Sequence, residues 1–479
     1  MRHRVLLAVF SGASDQRCLT ECERATAAIM EGNEDLFATS IAGLGKVAPL
    51  RQRVVDTGAS RPVSSRPYRQ DPIKSAAIAG FVEELEAHGL ISKSDSPWSS
   101  PVLLVRKKPD SAGVRAWRMC IDYSRLNHLT SVLGYAPPLT ADLLDRGAGR
   151  RWFASLDLSS AYWQCQLGAE DSARTAFDAG GQRYQWARLP FGLANAPAAF
   201  AKALEEALRP VLREQRGSKD SVVLTYADDL LIGADRLFDA EEAGGDGGGG
   251  GSGGGGGSGV HGGASHSMVG LCRRVLDCLR GAGFTLSAAK CSFARRSAHF
   301  LGYVLSAEGV AINPAKVAAV SKWAAPRNLP ALRSLLGHCE FWHSHVKDLS
   351  SLAAPLHKLR RKGQPWVWGQ EQQEAFERIK VALTTAPVLA PPSFSAGSKP
   401  FRLECDSSAV AWGCVLTQAG EDGVERVIKY HSRSFSRCEK GYGAVDRELL
   451  GLVSACKALR HYLLPRRFTL ITEHKLSNY

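Results

Sequence analysis

The sequence predicts a multidomain α+β protein, and three observations support this class. First, 479 residues are enough for about three domains of roughly 150 residues each. Second, short runs of β-branched and apolar residues alternate with longer segments of helical periodicity. Third, a composition with 44% hydrophobic and 22% charged residues is that of a folded globular chain.

Helical and strand-like patterns follow one another along the whole chain. In the first half we expect a helix over 73–88, a strand over 102–106, hairpins over 153–167 and 175–186, a helix over 197–212 and a hairpin over 222–232. In the second half we expect helices over 268–279, 314–323, 329–346 and 443–463, two strands after residue 401, and a strand over 467–472. This mixture of elements is typical of an α+β fold.

The charge balance indicates the kind of partner. Sixty Lys and Arg residues against 47 Asp and Glu residues give a net charge of +13, which favours polyanions, nucleic acid first. No run approaches the roughly 18 apolar residues of a membrane-spanning helix. The apolar run over 5–10 is too short for a signal peptide. Twelve cysteines without a CxxC pair suit reduced thiols, so we expect a cytoplasmic or nuclear protein that is not secreted.

One segment departs strongly from the average composition. Of the 20 residues over 244–263, 15 are glycine. Such a stretch cannot form a core and behaves as a flexible coil. It is either a domain linker or a surface insertion within one domain. We expect an insertion, because the hairpin pattern before it and the helix pattern after it belong to one domain.

Two strand-like segments carry aspartate where a strand normally avoids it. Asp157 lies in the apolar run over 153–158, and Asp228 and Asp229 lie at the bend between two apolar runs. Carboxylates brought together in a half-buried sheet raise one another's pKa unless a cation neutralises them. Mg²⁺ suits such oxygen ligands, and two ions about 4 Å apart can promote phosphoryl transfer to a 3′-hydroxyl. Taken alone, an Asp-Asp pair is also ordinary turn chemistry.

Further motifs surround these acids in a specific order. They are Ser96-Pro97-Trp98-Ser99-Ser100-Pro101-Val102, Trp117-Arg118-Met119-Cys120-Ile121-Asp122-Tyr123, Leu156-Asp157-Leu158, Leu189-Pro190-Phe191-Gly192-Leu193-Ala194-Asn195-Ala196-Pro197, Tyr226-Ala227-Asp228-Asp229 and Phe300-Leu301-Gly302-Tyr303. Together they resemble the reverse transcriptase of gypsy-type LTR retrotransposon polyproteins, which are retroviral-like. The resemblance covers residues 50–479 and implies a right-hand polymerase of fingers, palm and thumb, followed by a truncated RNase H-like α/β domain.

The resemblance also assigns roles within the polymerase. Asp157 and Asp228 would be the main ligands of two metal ions, with Asp229 contributing less directly. The positions matching the dNTP site are Lys107, Arg118, Tyr162, Phe191 and Gly192. The positions matching the hairpin that holds the primer end are Phe300, Leu301 and Gly302. Tyr162 would reject a ribose 2′-hydroxyl by occupying its space. Singly, Lys107 is also explained as a solvated lysine and Tyr162 as a core residue.

The C-terminal part resembles the RNase H domain that follows the polymerase in these polyproteins. Asp406 and Glu448 match two metal-binding acids, and Glu473 stands where the family has aspartate. Glutamate is one methylene longer, and catalytic geometry is sensitive to displacements of about 1 Å. The sequence also ends at Tyr479, before the family's last helix and acid. We therefore expect weak or absent cleavage of an RNA–DNA hybrid.

These assignments divide the chain into four parts. We expect a leader over 1–49, fingers and palm over 50–305 including the glycine-rich insertion, thumb and connection over 306–395, and the RNase H-like domain over 396–479. The expected cofactor is Mg²⁺, two ions per active site, with Mn²⁺ as a substitute. The expected partners are an RNA template, a DNA primer, an RNA–DNA hybrid and dNTPs, with no membrane. The expected location is a cytoplasmic retroelement particle or the nucleus.

Other functions fit the sequence less well. The segment 54–60 resembles an aspartic protease loop, but it leads directly into the polymerase motifs without the following ~80 residues of a protease. His338, Cys339, His343 and His345 do not have the spacing of a zinc finger. The main rival is a catalytically inactive retroelement remnant that only binds nucleic acid. An RNase H-type hydrolase without polymerase activity is a third hypothesis, and its set of acids is the less complete one.

Overall fold

The computed structural model describes residues 16–106, 117–239 and 266–472. The glycine-rich segment 244–263 and the candidate residues Lys107 and Glu473 lie outside these ranges. The chain forms two compact units. The first comprises Met1–Leu139 and Arg151–Arg295, and the second comprises Thr140–Arg150 and Arg296–Tyr479.

Six helices were expected from the periodicity of apolar residues, and each is observed, although the one expected over 443–463 is divided into two; the remaining helices were not expected. In chain order the helices are α1 (Gln16–Met30), α2 (Pro72–Ala87), α3 (Ser124–Leu129), α4 (Thr140–Gly147), α5 (Ala169–Arg174), α6 (Ala196–Glu214), α7 (Met268–Ala282), α8 (Pro314–Ser321), α9 (Leu329–Phe341), α10 (Leu349–Leu352), α11 (Ala354–Lys358), α12 (Gln370–Thr384), α13 (Ala444–Ala458) and α14 (Arg460–Leu463). Across the described ranges, none of the helices is both long enough and apolar enough to traverse a lipid bilayer.

The strands are β1 (Ile91–Lys93), β2 (Val102–Arg106), β3 (Trp117–Ile121), β4 (Trp152–Asp157), β5 (Phe177–Ala179), β6 (Gln182–Trp186), β7 (Ser221–Tyr226), β8 (Asp229–Ala234), β9 (Ser292–Arg295), β10 (Ser297–Phe300), β11 (Tyr303–Ser306), β12 (Val310–Ile312), β13 (Phe401–Ser407), β14 (Ala411–Ala419), β15 (Glu425–Ser434) and β16 (Phe468–Thr472). They form sheets with the strand orders β1-β6-β5, β2-β3, β7-β8-β4-β9, β10-β11-β12 and β15-β14-β13-β16.

The sheet β7-β8-β4-β9, called the palm sheet below, is the centre of the first unit. The middle residues of β4, β7 and β8 are apolar and largely buried. Helix α6 buries Phe200, Leu204 and Leu208 on one face, the spacing expected of an amphipathic helix. Helix α7 begins after Ser267, whose side chain accepts a hydrogen bond from Gly270 N, and ends at Gly283 in the left-handed conformation.

Part of the segment expected to be a leader belongs to this first unit. Ala25, Ile29 and Met30 are buried on one side of α1, which packs on β9 and α7. Arg280 of α7 donates hydrogen bonds to Gly32 O and to Asp35, which follow α1. The structure therefore differs from the expected division at residue 49, because the apolar spacing in α1 builds a helix face that completes the core.

The hairpin expected over 153–167 was wrong. After β4 the chain turns at Ser160, with a φ of 45°, and enters a 3-10 helix over Ala161–Gln164. β4 pairs instead with β8 and β9. The residues after the 3-10 helix hydrogen-bond to distant segments, since Leu189 N donates to Cys165 O. A strand pattern in the sequence does not reveal whether its partner is local or distant.

The second unit contains the sheet β15-β14-β13-β16, with α13 packed on β13 and β14. β13 alternates between buried and exposed residues, so that Cys405 faces the core and Asp406 does not. The helix expected over 329–346 ends at Phe341, and a 3-10 helix follows over His343–His345. Helix α4 belongs to this unit, where the hydroxyl of Tyr462 donates a hydrogen bond to Asp145.

Candidate active site

Asp157 and Asp229 are direct neighbours at one end of the palm sheet. β4 ends at Asp157, β8 begins at Asp229, and the antiparallel register pairs the two residues. Directly opposed residues of antiparallel strands project to the same face of the sheet. Asp228 lies in the two-residue turn between β7 and β8, after Ala227, which has a φ of 52°. The sequence had favoured Asp228 as the main partner of Asp157, whereas the register makes Asp229 its cross-strand neighbour.

The electrostatics show that these carboxylates interact. Burial raises the pKa of Asp229 above 3.8, and the nearby charges of Asp228 and Asp157 raise it further, with Lys290 acting in the opposite direction. Burial raises the pKa of Tyr162, and the charge of Asp228 adds to this shift. Asp228 therefore lies near both Asp229 and the tyrosine of the expected nucleotide pocket.

Lys290 is a residue of this site that the sequence did not reveal. Its Nζ donates to Oδ1 of Asp157 at 3.0 Å and to Oδ2 at 3.3 Å. The segment that carries it is fixed beside β4, because Ser287 N donates to Asp157 O at 2.9 Å. Clustered acids predict that a cation lies nearby, but Asp157 and Lys290 are 133 positions apart. Only the folded chain shows which lysine it is.

The three aspartates are suitable ligands for Mg²⁺, but their side chains are not arranged as a complete metal site. In the part of the chain that the structure describes, no group of three or more His, Cys, Asp and Glu side chains is arranged to hold a metal ion. The carboxylate of Asp157 is instead paired with Lys290. Nevertheless, three carboxylates at adjoining strand ends are hard oxygen ligands of the kind that Mg²⁺ prefers. Because a bound divalent cation would relieve the repulsion between these carboxylates, the repulsion favours cation binding at this position.

Aromatic packing brings Tyr162 and Phe191 together. The ring centroid of Tyr162 lies 5.0 Å from the ring centroid of Phe191 and 5.4 Å from that of Phe200. Phe191 is 54% exposed, so one side of its ring is open to solvent. Gly192 has a φ of +96°, and a Cβ there would lie 3.5 Å from Ile121 O. Tyr162, on the 3-10 helix, therefore lies in space beside the loop that carries Phe191 and Gly192, so these three expected pocket residues are close together in the first unit.

The expected phosphate contacts are described only in part. Arg118 lies on β3, is exposed, and pairs in register with Val105 of β2. Lys107 falls outside the described residues. An exposed guanidinium on this hairpin has the donors to hold phosphate oxygens.

Phe300, Leu301 and Gly302 form the turn between β10 and β11. Leu301 and Gly302 have φ values of 50° and 85°, the pattern of a type I′ hairpin turn. Phe300 is buried and pairs with Tyr303, whose ring stacks on Phe341 at 5.3 Å. The hydroxyl of Tyr303 donates to Phe341 O at 2.7 Å. These contacts hold the hairpin within the second unit.

In the RNase H-like region, a second carboxylate lies beside Asp406, and it is not one that the sequence suggested. Asp406 and Asp348 line a cavity of about 230 Å³ together with Arg378 and Ser408. Burial raises the pKa of Asp348, and the charge of Asp406 raises it further, although Lys347 partly offsets the shift. Asp348 precedes α10, and nothing in the local sequence links it to Asp406.

Of the other two acids expected there, the structure describes Glu448 only. Glu448 lies on α13. The pKa of the Cys405 thiol is raised mainly by its hydrogen bond with Cys414 and by burial, and the charge of Glu448 raises it further. The start of α13 contacts the end of β13, because Ser407 Oγ donates to Arg447 O at 3.2 Å. Glu473 falls outside the described residues.

Comparison with known proteins agrees with this fold and site. Residues 105–305 match the family described as reverse transcriptase (RNA-dependent DNA polymerase), and residues 368–470 match an RNase H-like domain found in reverse transcriptase. The chain is 19% identical to a foamy viral protease-reverse transcriptase in complex with double-stranded DNA, with a TM-score of 0.79 over 98% of this chain and 75% of that one. Another foamy viral structure, with an RNA/DNA hybrid, has a TM-score of 0.74 over 98% of this chain and 57% of that one, at 19% identity. The fold class expected from the sequence is thereby confirmed.

The sequence relatives are transposon polyproteins. The chain is 30% identical over 437 residues to the retrovirus-related Pol polyprotein from transposon gypsy of Drosophila melanogaster, covering 88% of this chain and 38% of that protein. It is 29% identical over 425 residues to that from transposon 297 of the same organism, covering 88% and 36%. It is also 29% identical over 412 residues to the transposon Tf2-3 polyprotein of Schizosaccharomyces pombe, covering 86% and 28%. The chain thus spans well under half of these relatives, and it contains a reverse transcriptase domain and an RNase H-like domain homologous to those of LTR retrotransposon polyproteins.

Proposed function

We propose that this chain is an RNA-directed DNA polymerase that adds dNTPs to the 3′-hydroxyl of a primer. The observation that supports this most directly is the pairing of Asp157 with Asp229, beside Asp228, at the end of the palm sheet. The related foamy viral proteins form complexes with double-stranded DNA and with an RNA/DNA hybrid. We extend these partner classes to this chain, whose net charge of +13 suits them. A cytoplasmic retroelement particle or the nucleus would be its location.

Asp157, Asp228 and Asp229 would hold the metal ions. When bound, two Mg²⁺ ions supply activation of the attacking 3′-hydroxyl and neutralisation of the leaving pyrophosphate, and Mn²⁺ could substitute. Lys290 compensates the charge of Asp157 in the metal-free protein, and it would compete with a metal ion for the carboxylate oxygens of Asp157.

The remaining residues of the site would select and orient the nucleotide. Arg118, with Lys107, would bind the triphosphate, because a guanidinium can donate two parallel hydrogen bonds to phosphate oxygens. Tyr162, backed by the rings of Phe191 and Phe200, would leave no space for a 2′-hydroxyl. Phe300, Leu301 and Gly302 would contact the primer end.

The RNase H-like region would cleave a hybrid weakly or not at all. Asp406 and Glu448 would be its metal-binding acids, with Glu473 in place of an aspartate. Glutamate is one methylene longer than aspartate, and catalytic metal geometry is sensitive to displacements of about 1 Å. An Mg²⁺-dependent cleavage assay on a labelled hybrid tests this part, and robust cleavage would contradict it.

Primer extension on an RNA template tests the polymerase function. Asp228→Asn should lower Mg²⁺-dependent dNTP incorporation by about a thousandfold or more, because a metal ligand contributes several kcal/mol of transition-state stabilisation. Binding of the primed template should stay nearly unchanged. Asp220→Asn is the matched control, since Asp220 is an exposed aspartate just before β7, at the other end of the strand from Asp228.

The same assay separates the polymerase from its rival. An inactive remnant would bind the primed template with strong salt dependence and extend nothing. Incorporation by the wild-type chain that Asp228→Asn leaves unchanged would refute the assigned site.

A further inference from the structure

Asn127 joins helix α3 to the loop that carries Phe191 and Gly192. Its Nδ2 donates to Gly192 O at 2.8 Å, and its Oδ1 accepts from Ala194 N at 2.8 Å. The orientation of this amide is fixed chemically, because a carbonyl can only accept and a backbone N–H can only donate. One side chain therefore bridges two backbone groups on either side of Leu193.

The other end of this loop is fixed by a second asparagine. Asn195 is buried, accepts from Leu133 N at 2.9 Å, and donates to Val54 O and Ser131 O at 2.9 Å each. These bonds hold the loop where it enters α6. They do not contact Phe191 or Gly192, so other contacts, nearer to the middle of the loop, must fix the positions of these two residues.

Those contacts have to fix an exposed and irregular backbone. Phe191 is 54% exposed and Gly192 has a φ of +96°, so neither burial nor regular secondary structure determines this backbone. The ring of Tyr162 packs on Phe191 at 5.0 Å but does not restrain the peptide groups. The amide of Asn127 does so, because it hydrogen-bonds to the carbonyl of Gly192 and to the N–H of Ala194.

We propose that Asn127 is a positioning residue of the nucleotide pocket, which holds Phe191 and Gly192 where they shape the site for a deoxynucleoside triphosphate. It acts through the loop and does not itself contact the nucleotide. This inference rests on the proposed polymerase function, since that function makes Phe191 and Gly192 pocket residues. Helix α3 follows β3 after two residues, so Asn127 also ties the loop to the hairpin that carries Arg118.

Two variants of Asn127 and one control test this role. Asn127→Ala removes both hydrogen bonds. Asn127→Asp keeps an acceptor for Ala194 N but places a carboxylate oxygen against Gly192 O. Ser124→Ala is the control, since Ser124 lies on the same helix and its Oγ donates to Asp122, not to the loop. Each variant is compared with the wild-type chain in hydrogen exchange and in primer extension.

Hydrogen exchange gives a readout that does not depend on activity. In Asn127→Ala, the peptide over 189–197 should exchange about tenfold faster, the effect of losing a hydrogen bond of typical strength. In Asn127→Asp the exchange should be slower than in Asn127→Ala, because Ala194 N keeps its acceptor. In Ser124→Ala the exchange should equal that of the wild type. Unchanged exchange in Asn127→Ala would overturn the proposal and leave the polymerase function standing.

Steady-state kinetics test whether the hydrogen bonds of Asn127 contribute to nucleotide binding. Asn127→Ala and Asn127→Asp should each raise the KM for dNTP about tenfold, with kcat within about threefold of wild type and unchanged template binding. A merely structural role would lower kcat and the active fraction without moving KM. Faster exchange with an unchanged KM would overturn the pocket role. A wild-type chain that incorporates no dNTP would refute the proposed function itself, and the pocket role with it.

Discussion

Asp157 and Asp229 are paired residue to residue across β4 and β8, at the end of the palm sheet. Two carboxylates on the same face of neighbouring strands repel each other, and Asp228 adds a third negative charge in the adjoining turn. This arrangement lowers the stability of the metal-free protein. It also prepares a site in which a divalent cation would relieve the repulsion.

The stability of the metal-free protein should therefore depend on Asp229 and on pH. The pKa of Asp229 is raised in the folded state, so the folded chain binds this proton more tightly than the unfolded chain. The free energy of unfolding then falls as pH rises from the unfolded pKa through the folded pKa. Asp229→Asn removes the penalty and should raise Tm at pH 7, by about 2–4 °C for each kcal/mol recovered.

Circular dichroism melts with EDTA at pH 7 and pH 3 measure this effect. At pH 3, below both pKa values, Asp229 is protonated in both states and the difference in Tm should vanish. An equal difference at both pH values would show that the substitution acts by shape and not by charge. Added Mg²⁺ should stabilise the wild-type chain more than Asp229→Asn, because ligand binding to the folded state raises stability.

Lys290 should compete with metal for Asp157. Its ammonium group lies 3.0 Å from Oδ1 of Asp157, and both side chains are partly exposed. Lys290→Ala makes the cluster more negative and should tighten Mn²⁺ binding about twofold to fivefold, the range expected for an exposed ion pair. Lys290→Arg keeps the charge and serves as the control. Weaker Mn²⁺ binding by Lys290→Ala in calorimetry would show that Lys290 supports the site.

Gly413 should be essential for the position of Asp348. A Cβ at residue 413 would lie 1.9 Å from Oδ1 of Asp348, so the aspartate would have to move. Gly413→Ala should destabilise the chain by about 1–3 kcal/mol, the usual cost of overpacking. Gly441→Ala is the control, because nothing lies within 4 Å of its Cβ position.

A double-mutant cycle in chemical denaturation shows whether Asp348 causes that effect. Adding Asp348→Ala to Gly413→Ala should recover most of the loss, because the clashing carboxylate is gone. If the two losses simply add, the glycine is required for a different reason.

Tyr162 should govern the choice of sugar. Tyr162→Ala opens space beside Phe191 and should raise rNTP incorporation relative to dNTP by about tenfold to a hundredfold. Tyr162→Phe keeps the ring that packs at 5.0 Å on Phe191 and should retain the discrimination. The ratio of kcat/KM for the two substrates measures the effect. An equal ratio in wild type and Tyr162→Ala would contradict the proposed role of Tyr162 in sugar selection.

Much of the fold could be predicted from local sequence. The strand over Val102–Arg106 was expected at its observed bounds, and α2 was expected within one residue. These elements are short runs or amphipathic segments whose pattern is contained in neighbouring residues. The hairpin over 153–167 was wrong because β4 pairs with β8 and β9, which are distant in the sequence. Likewise, the packing of α1 on β9 and α7 depends on contacts that local periodicity does not specify.

The sequence by itself determined which acids are available and in what order the motifs occur, because residue type and strand propensity are properties of short segments. The tertiary structure decided how those segments meet. It paired Asp157 with Asp229, brought Lys290 to Asp157 from 133 positions away, and put Asp348 beside Asp406. Strand register and side-chain contact between distant segments follow from the packing of the whole core, which no local pattern contains.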